Sequence, residues 1–206
     1  MNRLVLCALF LVGSVASAQT RSSPPEFSGL DRRIEAAQRQ PSNARLALDA
    51  TRALRDVLRA STDAGGREEA MLRVSAVESL VDQAISANPR EAPLLLMEKA
   101  SLVFNAGRKG EVEALVRASM EAGPNLDAAL ALLGIHDRRG ERDQIFPICA
   151  RVRPQLFREA QVWQLLHACM KHSGASTIAS GLSWASEGDR AFYLREMQRR
   201  TAATKP

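Results

Sequence analysis

The stretch Leu94–Pro124 reads LLLMEKASLVFNAGRKGEVEALVRASMEAGP. An apolar segment ends at Ala106-Gly107, a short polar turn follows, and a second segment ends at Gly123-Pro124. Apolar residues recurring every three to four positions mark one buried stripe on a helix. Gly enters left-handed backbone without a steric penalty and Pro cannot continue a hydrogen-bonded helix, so each pair ends its segment. The stretch is therefore one antiparallel helical hairpin. Leu94, Leu95, Leu96, Met97, Ala100, Leu102, Val103 and Phe104 make its first helix apolar around most of its circumference, which suits a helix covered by neighbours on several sides. Val112, Leu115, Val116 and Met120 give its partner an apolar stripe.

The same pattern continues on both sides. Upstream, Leu46, Ala50, Leu54, Val57 and Leu58 recur at helical spacing behind Ser42, a candidate cap, and Arg67–Ala87 reads as one further helix stopped by Asn88-Pro89. Downstream, helices are expected over Leu126–Arg139, Arg142–Val152, Phe157–Lys171, Ser176–Ala185 and Asp189–Arg200. Pro147 predicts a kink or a late start in the second of these. No stretch alternates with period two over a useful length, so no strand competes. The fold class is all-α, antiparallel helical hairpins stacked on one another.

The chain has 206 residues, which suits one domain with tails. Residues 1–18 read as an export signal: Arg3, then the apolar core Leu4–Val12, then Ala16-Ser17-Ala18 before a cleavage point at Gln19. The core is too short for a stable bilayer span, and no later stretch is apolar enough to be one. Export places the mature chain in a bacterial periplasm or outside the cell. Residues 19–41 read as a flexible tether with a short helix over Asp31–Gln40, 42–200 as the helical domain and 201–206 as a tail. The chain carries 28 basic and 23 acidic residues, a net of +5, with 28 − 4 Lys = 24 Arg among them. So small an excess does not mark a nucleic-acid protein.

Cys149 and Cys169 are the cysteines beyond the signal. An oxidising compartment favours pairing them. A chain reversal near Pro154–Gln155 would instead leave them ~12 Å apart in height at ~1.5 Å per helical residue. A disulfide needs Cα atoms within roughly 7 Å. The expectation from this geometry is two buried thiols.

Turn residues recur at a period. Pro89 to Pro124 is 35 residues, Pro124 to Pro154 is 30, Gly107 to Gly140 is 33 and Gly140 to Gly174 is 34. Trp163 with Leu166, Gly174 and Ala179 resembles the pattern of the tetratricopeptide repeat, whose unit is about 34 residues. Leu130, Leu133 and Gly134 hold corresponding places one unit earlier, and Leu96, Ala100, Gly107 and Pro124 one unit before that. The resemblance covers about 93–186. It departs from the pattern at Lys99, where Leu is expected, and at Asp137, where an aromatic residue is expected. It implies a short right-handed solenoid that performs no chemistry and binds a protein or peptide in a concave groove.

Catalytic motifs are not found: no G-x-S-x-G, H-E-x-x-H or Walker-type loop stands in the sequence. Cys169 and His172 share a helix face, half a metal site at best, and neither metal nor cofactor is expected. In the repeat register, the last turns of the first helices present Asn105, Arg138, Arg139, Lys171 and His172 at equivalent positions, 34 and 33 residues apart. Together they suit an acidic side chain or a C-terminal carboxylate. Met97, Ser101, Ala131, Ile135, Gln164 and Ala168 would form the floor beside them. Cations in a last helical turn are also favoured by the helix dipole whatever they bind. Two other readings stand beside this one: an envelope-associated protein whose Arg-rich surface meets anionic lipid or polymer, and an enzyme with an unfamiliar helical site.

Overall fold

A computed structural model describes residues 25–61 and 63–203. The expected export signal, the beginning of the expected tether and the last three residues lie outside the described residues. The helices are α1 (Pro25–Arg39), α2 (Ala44–Ala60), α3 (Ala64–Met71), α4 (Val74–Ala87), α5 (Ala92–Asn105), α6 (Lys109–Ala122), α7 (Leu126–Arg139), α8 (Ile145–Val152), α9 (Glu159–Ser173), α10 (Ile178–Gly181) and α11 (Glu187–Ala203). Single 3-10 turns at Pro89–Glu91, Arg142–Gln144 and Arg153–Gln155 join some of them, and the described residues hold no strand. The protein is all-α.

Helix α5 packs along α6 and also against α2 and α4, as its apolar circumference requires. Its partners bury Leu95, Leu102 and Val103 completely, while Leu94 and Phe104 keep part of their surface in solvent. Helices α5, α7 and α9 begin at residues 92, 126 and 159, intervals of 34 and 33. Helix α2 packs on α5, and α7 packs on α9. Helices α5 and α7 do not pair in this way, and α6 lies against α7 instead. The apolar interior follows that division. One core runs from Phe27 to Ala106, a second from Ala100 to Tyr193, and a smaller third holds Ala47, Leu48, Val81, Ala84 and Leu95, so α5 contributes to all three.

Gly107, Gly140 and Gly174 end α5, α7 and α9 with φ of 89°, 74° and 67°. No other described residue has φ in the left-handed region. The sequence expects a helix end at each of these three glycines, and a side chain would be strained there. Pro147 is the third residue of α8, in the first turn, where its missing N–H has no intrahelical partner to lose. The expected late start is what it produces.

Four expectations need correction. Helix α1 begins at Pro25, before the expected start at Asp31, and it is part of the core: Phe27, Leu30, Ile34 and Ala37 are buried against α2 and α4. The cap of α2 is Asn43, whose Oδ1 accepts from the amides of Arg45 and Leu46 at 3.1 and 3.3 Å. Arg67–Ala87 is not one helix, because the chain breaks at Leu72-Arg73. At the break Arg73 donates from Nε to Asp31 at 2.6 Å and from Nη1 to Glu69 at 2.8 Å, locking α1 to the turn. Before it, Arg67 donates to the Leu58 and Asn105 carbonyls, at 3.3 and 2.6 Å, and caps the ends of α2 and α5 together.

The fourth correction is the cysteine pair. Cys149 and Cys169 form a disulfide between α8 and α9, fully buried, with Cα atoms 6.6 Å apart. The 3-10 turn at Arg153–Gln155 prolongs the first arm, so the chain reverses at Leu156–Arg158 rather than at Pro154. Counted from there, Cys149 stands ~10 Å below the reversal and Cys169 ~15 Å, close enough to bridge.

Candidate functional site

Helix α7 places Leu130, Ala131, Gly134, Ile135 and Arg138 on one face, since residues three and four apart are neighbours on a helix surface. Because α5 and α7 are not paired, this face stays open. Between it, the end of α5 and the first turns of α6 lies a groove of about 600 Å³. Val112, Leu130, Ala131 and Ile135 supply its apolar floor, Phe104 one wall, and Lys109 and Arg138 its basic rim.

The two arginines at the end of α7 are not equivalent. Arg139 Nη1 donates to Glu113 Oε1 at 3.0 Å, and its Nη2 pairs with Oε2 of the same carboxylate. Arg117 donates to Glu113 Oε1 as well, from Nη2 at 2.8 Å. Arg139 first, and Arg117 second, hold the Glu113 carboxyl below the usual carboxylate range. Arg138 has no hydrogen bond or ion pair with another described residue. Its guanidinium folds back over Gly134, where an added Cβ would lie 3.5 Å from Nη1. Lys109 Nζ lies 5.8 Å from the Phe104 ring centroid. Behind this surface His136 is buried, with Nδ1 2.6 Å from Glu141 Oε2 and Nε2 3.3 Å from Arg117 Nη2. A guanidinium only donates, so Nε2 accepts and the ring proton sits on Nδ1.

The groove brings together Ala131, Ile135, Arg138 and Arg139 of the sequence-derived site. The remaining members lie elsewhere or are engaged. Asn105 Nδ2 donates to the Ser101 carbonyl at 2.7 Å, which ties its side chain back onto α5, and neither residue lines the groove. His172 Nδ1 lies 2.9 Å from Asp137 Oδ2, and His172 draws the Asp137 carboxyl below its ordinary value. Lys171 is exposed and unpaired among the described residues, but outside the groove. Met97 and Ala168 pack against the second core, and Gln164 is exposed away from the groove. Both departures from the repeat pattern have polar partners: Lys99 Nζ donates to Asp82 at 2.7 Å, and Asp137 meets His172.

Lys109, Val112, Glu113, Leu130 and Gly134 line the groove although the sequence did not place them in the site. Val112 and Leu130 carry the apolar spacing of core residues, and the spacing does not tell a half-covered position from a closed one. The first turns of α6 enter because α5 and α7 part, which no local signal encodes. Elsewhere, Trp163 stacks on Tyr193 with centroids 4.9 Å apart, closing α11 onto α9. Among the described residues, no three His, Cys, Asp or Glu side chains gather so as to hold a metal ion. Cys169 is oxidised in the disulfide, which removes it as a partner for His172. No described helix is long and apolar enough to cross a membrane.

Comparison with protein-family models, curated proteins and solved structures finds no match.

Proposed function

We propose that this chain is an exported, non-catalytic helical-repeat module that holds a peptide or partner protein in the groove between α5 and α7. The observation that carries this reading is the open apolar floor of Val112, Leu130, Ala131 and Ile135 beside the unpaired guanidinium of Arg138. An apolar side chain on the floor with a carboxylate at the rim would satisfy both, so the ligand is a segment with an acidic residue or its own C-terminus beside an aliphatic one. The tetratricopeptide-like part of the reading is supported by the 34- and 33-residue intervals and the left-handed glycines. Export is supported by the buried disulfide, because such bonds persist in oxidising compartments.

The experiment is a fluorescence-anisotropy screen of the purified protein against peptides ending in an aliphatic residue, with free or amidated C-termini and with or without a neighbouring acid. Binding that needs the carboxylate and is abolished by Ile135→Asp supports the groove. Equal binding by wild type and Ile135→Asp, with circular dichroism unchanged, would remove it.

A further inference from the structure

Three contacts bring the C-terminal ends of four helices level. Arg67 joins those of α2 and α5 through the Leu58 and Asn105 carbonyls. The groove joins those of α5 and α7, and the Asp137–His172 contact joins those of α7 and α9. Arg59, Arg138 and Lys171 stand in the last turns of α2, α7 and α9, and Lys109 begins α6 at the same level. All four are exposed, and none has a hydrogen bond or ion pair with another described residue. Two of the most exposed large apolar side chains lie on the same edge. Phe104 ends α5 with 52% of its surface exposed, and Leu72, 74% exposed, sits in the turn before α4. Arg108 Nη1 donates to Glu78 at 2.7 Å, which places that end of α4 beside the start of α6. Against the four cations stand Asp63, Glu68 and Asp143, exposed acids with no cation of their own.

Packed helices lie ~10 Å apart, so charges spread over four of them span roughly 30 Å. A single carboxylate meets one such charge, whereas a plane of phosphates meets all of them. Exposed apolar side chains between the charges gain nothing from a soluble polyanion, but they can enter the headgroup boundary of a bilayer. We infer that this edge docks on an anionic lipid bilayer, with Leu72 and Phe104 entering between headgroups that the four cations contact. The inference goes beyond the peptide reading. It shares Phe104, Lys109 and Arg138 with the groove, while Arg59, Leu72 and Lys171 lie outside it.

Flotation with phosphatidylcholine vesicles, plain or with about 30% phosphatidylglycerol, tests it on the protein in the form the cell produces. Every variant keeps the same N-terminus, so any contribution from residues 1–24 cancels between them. Binding should require the anionic lipid and weaken from low to moderate salt. Each lost cation should reduce affinity about fivefold, so Arg59→Ala with Lys171→Ala should reduce it about 25-fold. Leu72→Ser should reduce it several-fold at any salt. The paired control, Arg45→Ala with Arg90→Ala at the opposite edge, should bind as wild type. Ile135→Asn, which adds no charge beside Arg138, should bind vesicles normally even where it loses peptide, which separates failure of this inference from failure of the groove. Equal binding to neutral vesicles, no vesicle binding at low salt, an edge variant unchanged, or a control as weak as the edge variant would each overturn the inference. So would loss of an acidic peptide by the edge variant with vesicle binding intact.

Discussion

Arg138 and Arg139 are adjacent in sequence and differ in availability. Glu113 holds Arg139 and leaves Arg138 free. If the groove takes a carboxylate, Arg138→Ala should weaken an acidic peptide by more than ~1.5 kcal/mol, the scale of a charge-assisted hydrogen bond. Arg139→Ala should cost less than half of that, and isothermal titration of both variants measures the difference. Glu113 also sets a pH expectation. Its carboxyl is held below the ordinary value, so the link between α6 and α7 is intact above that value and is lost as pH falls through the lowered one. A carboxyl titration followed by NMR should place Glu113 below the other glutamates that have no basic partner. Tyr193, the single tyrosine, has its hydroxyl pushed up by burial. Its proton is held more tightly in the fold, so this contribution is complete below the unfolded value and is lost as pH rises past the raised one. Ultraviolet titration of the folded protein should show ionisation delayed relative to the protein in denaturant. The basic character of the end of α7 was legible from sequence. Which arginine remains free was not, since it depends on Glu113, which lies 26 residues from Arg139 and on another helix.

Among the elements, the α8–α9 pair is held by the disulfide as well as by packing. The bridge closes a loop of 20 residues, so replacing both cysteines by Ala should lower stability by about 3 kcal/mol. Denaturant unfolding of the oxidised wild type and the double variant measures this. The glycine ends make a second expectation. Gly174 has φ of 67° and supports the Arg142 guanidinium, whose Cζ would lie 2.8 Å from an added Cβ. Gly174→Ala should therefore cost at least ~1–2 kcal/mol, the penalty of left-handed backbone for a residue with a side chain. Gly110→Ala, within α6 and facing open space, should be neutral or slightly stabilising. Helix ends were the most legible part of this fold because Gly107, Gly140 and Gly174 declare themselves locally. The cysteine pairing was misread because three residues of 3-10 turn moved the reversal. The break between α3 and α4 was hidden because its cause, the Arg73–Asp31 pair, spans 42 residues. Phe27 was read as tether because Pro-Pro precedes it, yet it is 1% exposed, packed in the first core.

At the scale of the molecule, many of the arginines tie helix to helix. Arg52 and Arg55 meet Glu98 across α2 and α5, Arg108 meets Glu78 across α6 and α4, and Arg153 meets Asp189 in the first turn of α11. A chain with 4% aromatic residues closes its helix interfaces with small and aliphatic side chains, and forked guanidinium pairs fix their register. The cores that α5 joins leave a gap where α5 and α7 part, and the candidate binding surface occupies it. The hairpin composition was readable from periodicity. The gap was not, because helix-to-helix spacing is decided by packing across the whole stack. The most direct measurement is photocrosslinking in cells that produce the protein, with a photoreactive residue placed singly at Ile135 and, as a control, at Arg33. The account predicts a discrete crosslinked species from Ile135 that is lost when Arg138→Ala is added, and none from Arg33. The same crosslinks from both positions, or no species from Ile135 in an intact folded protein, would contradict it.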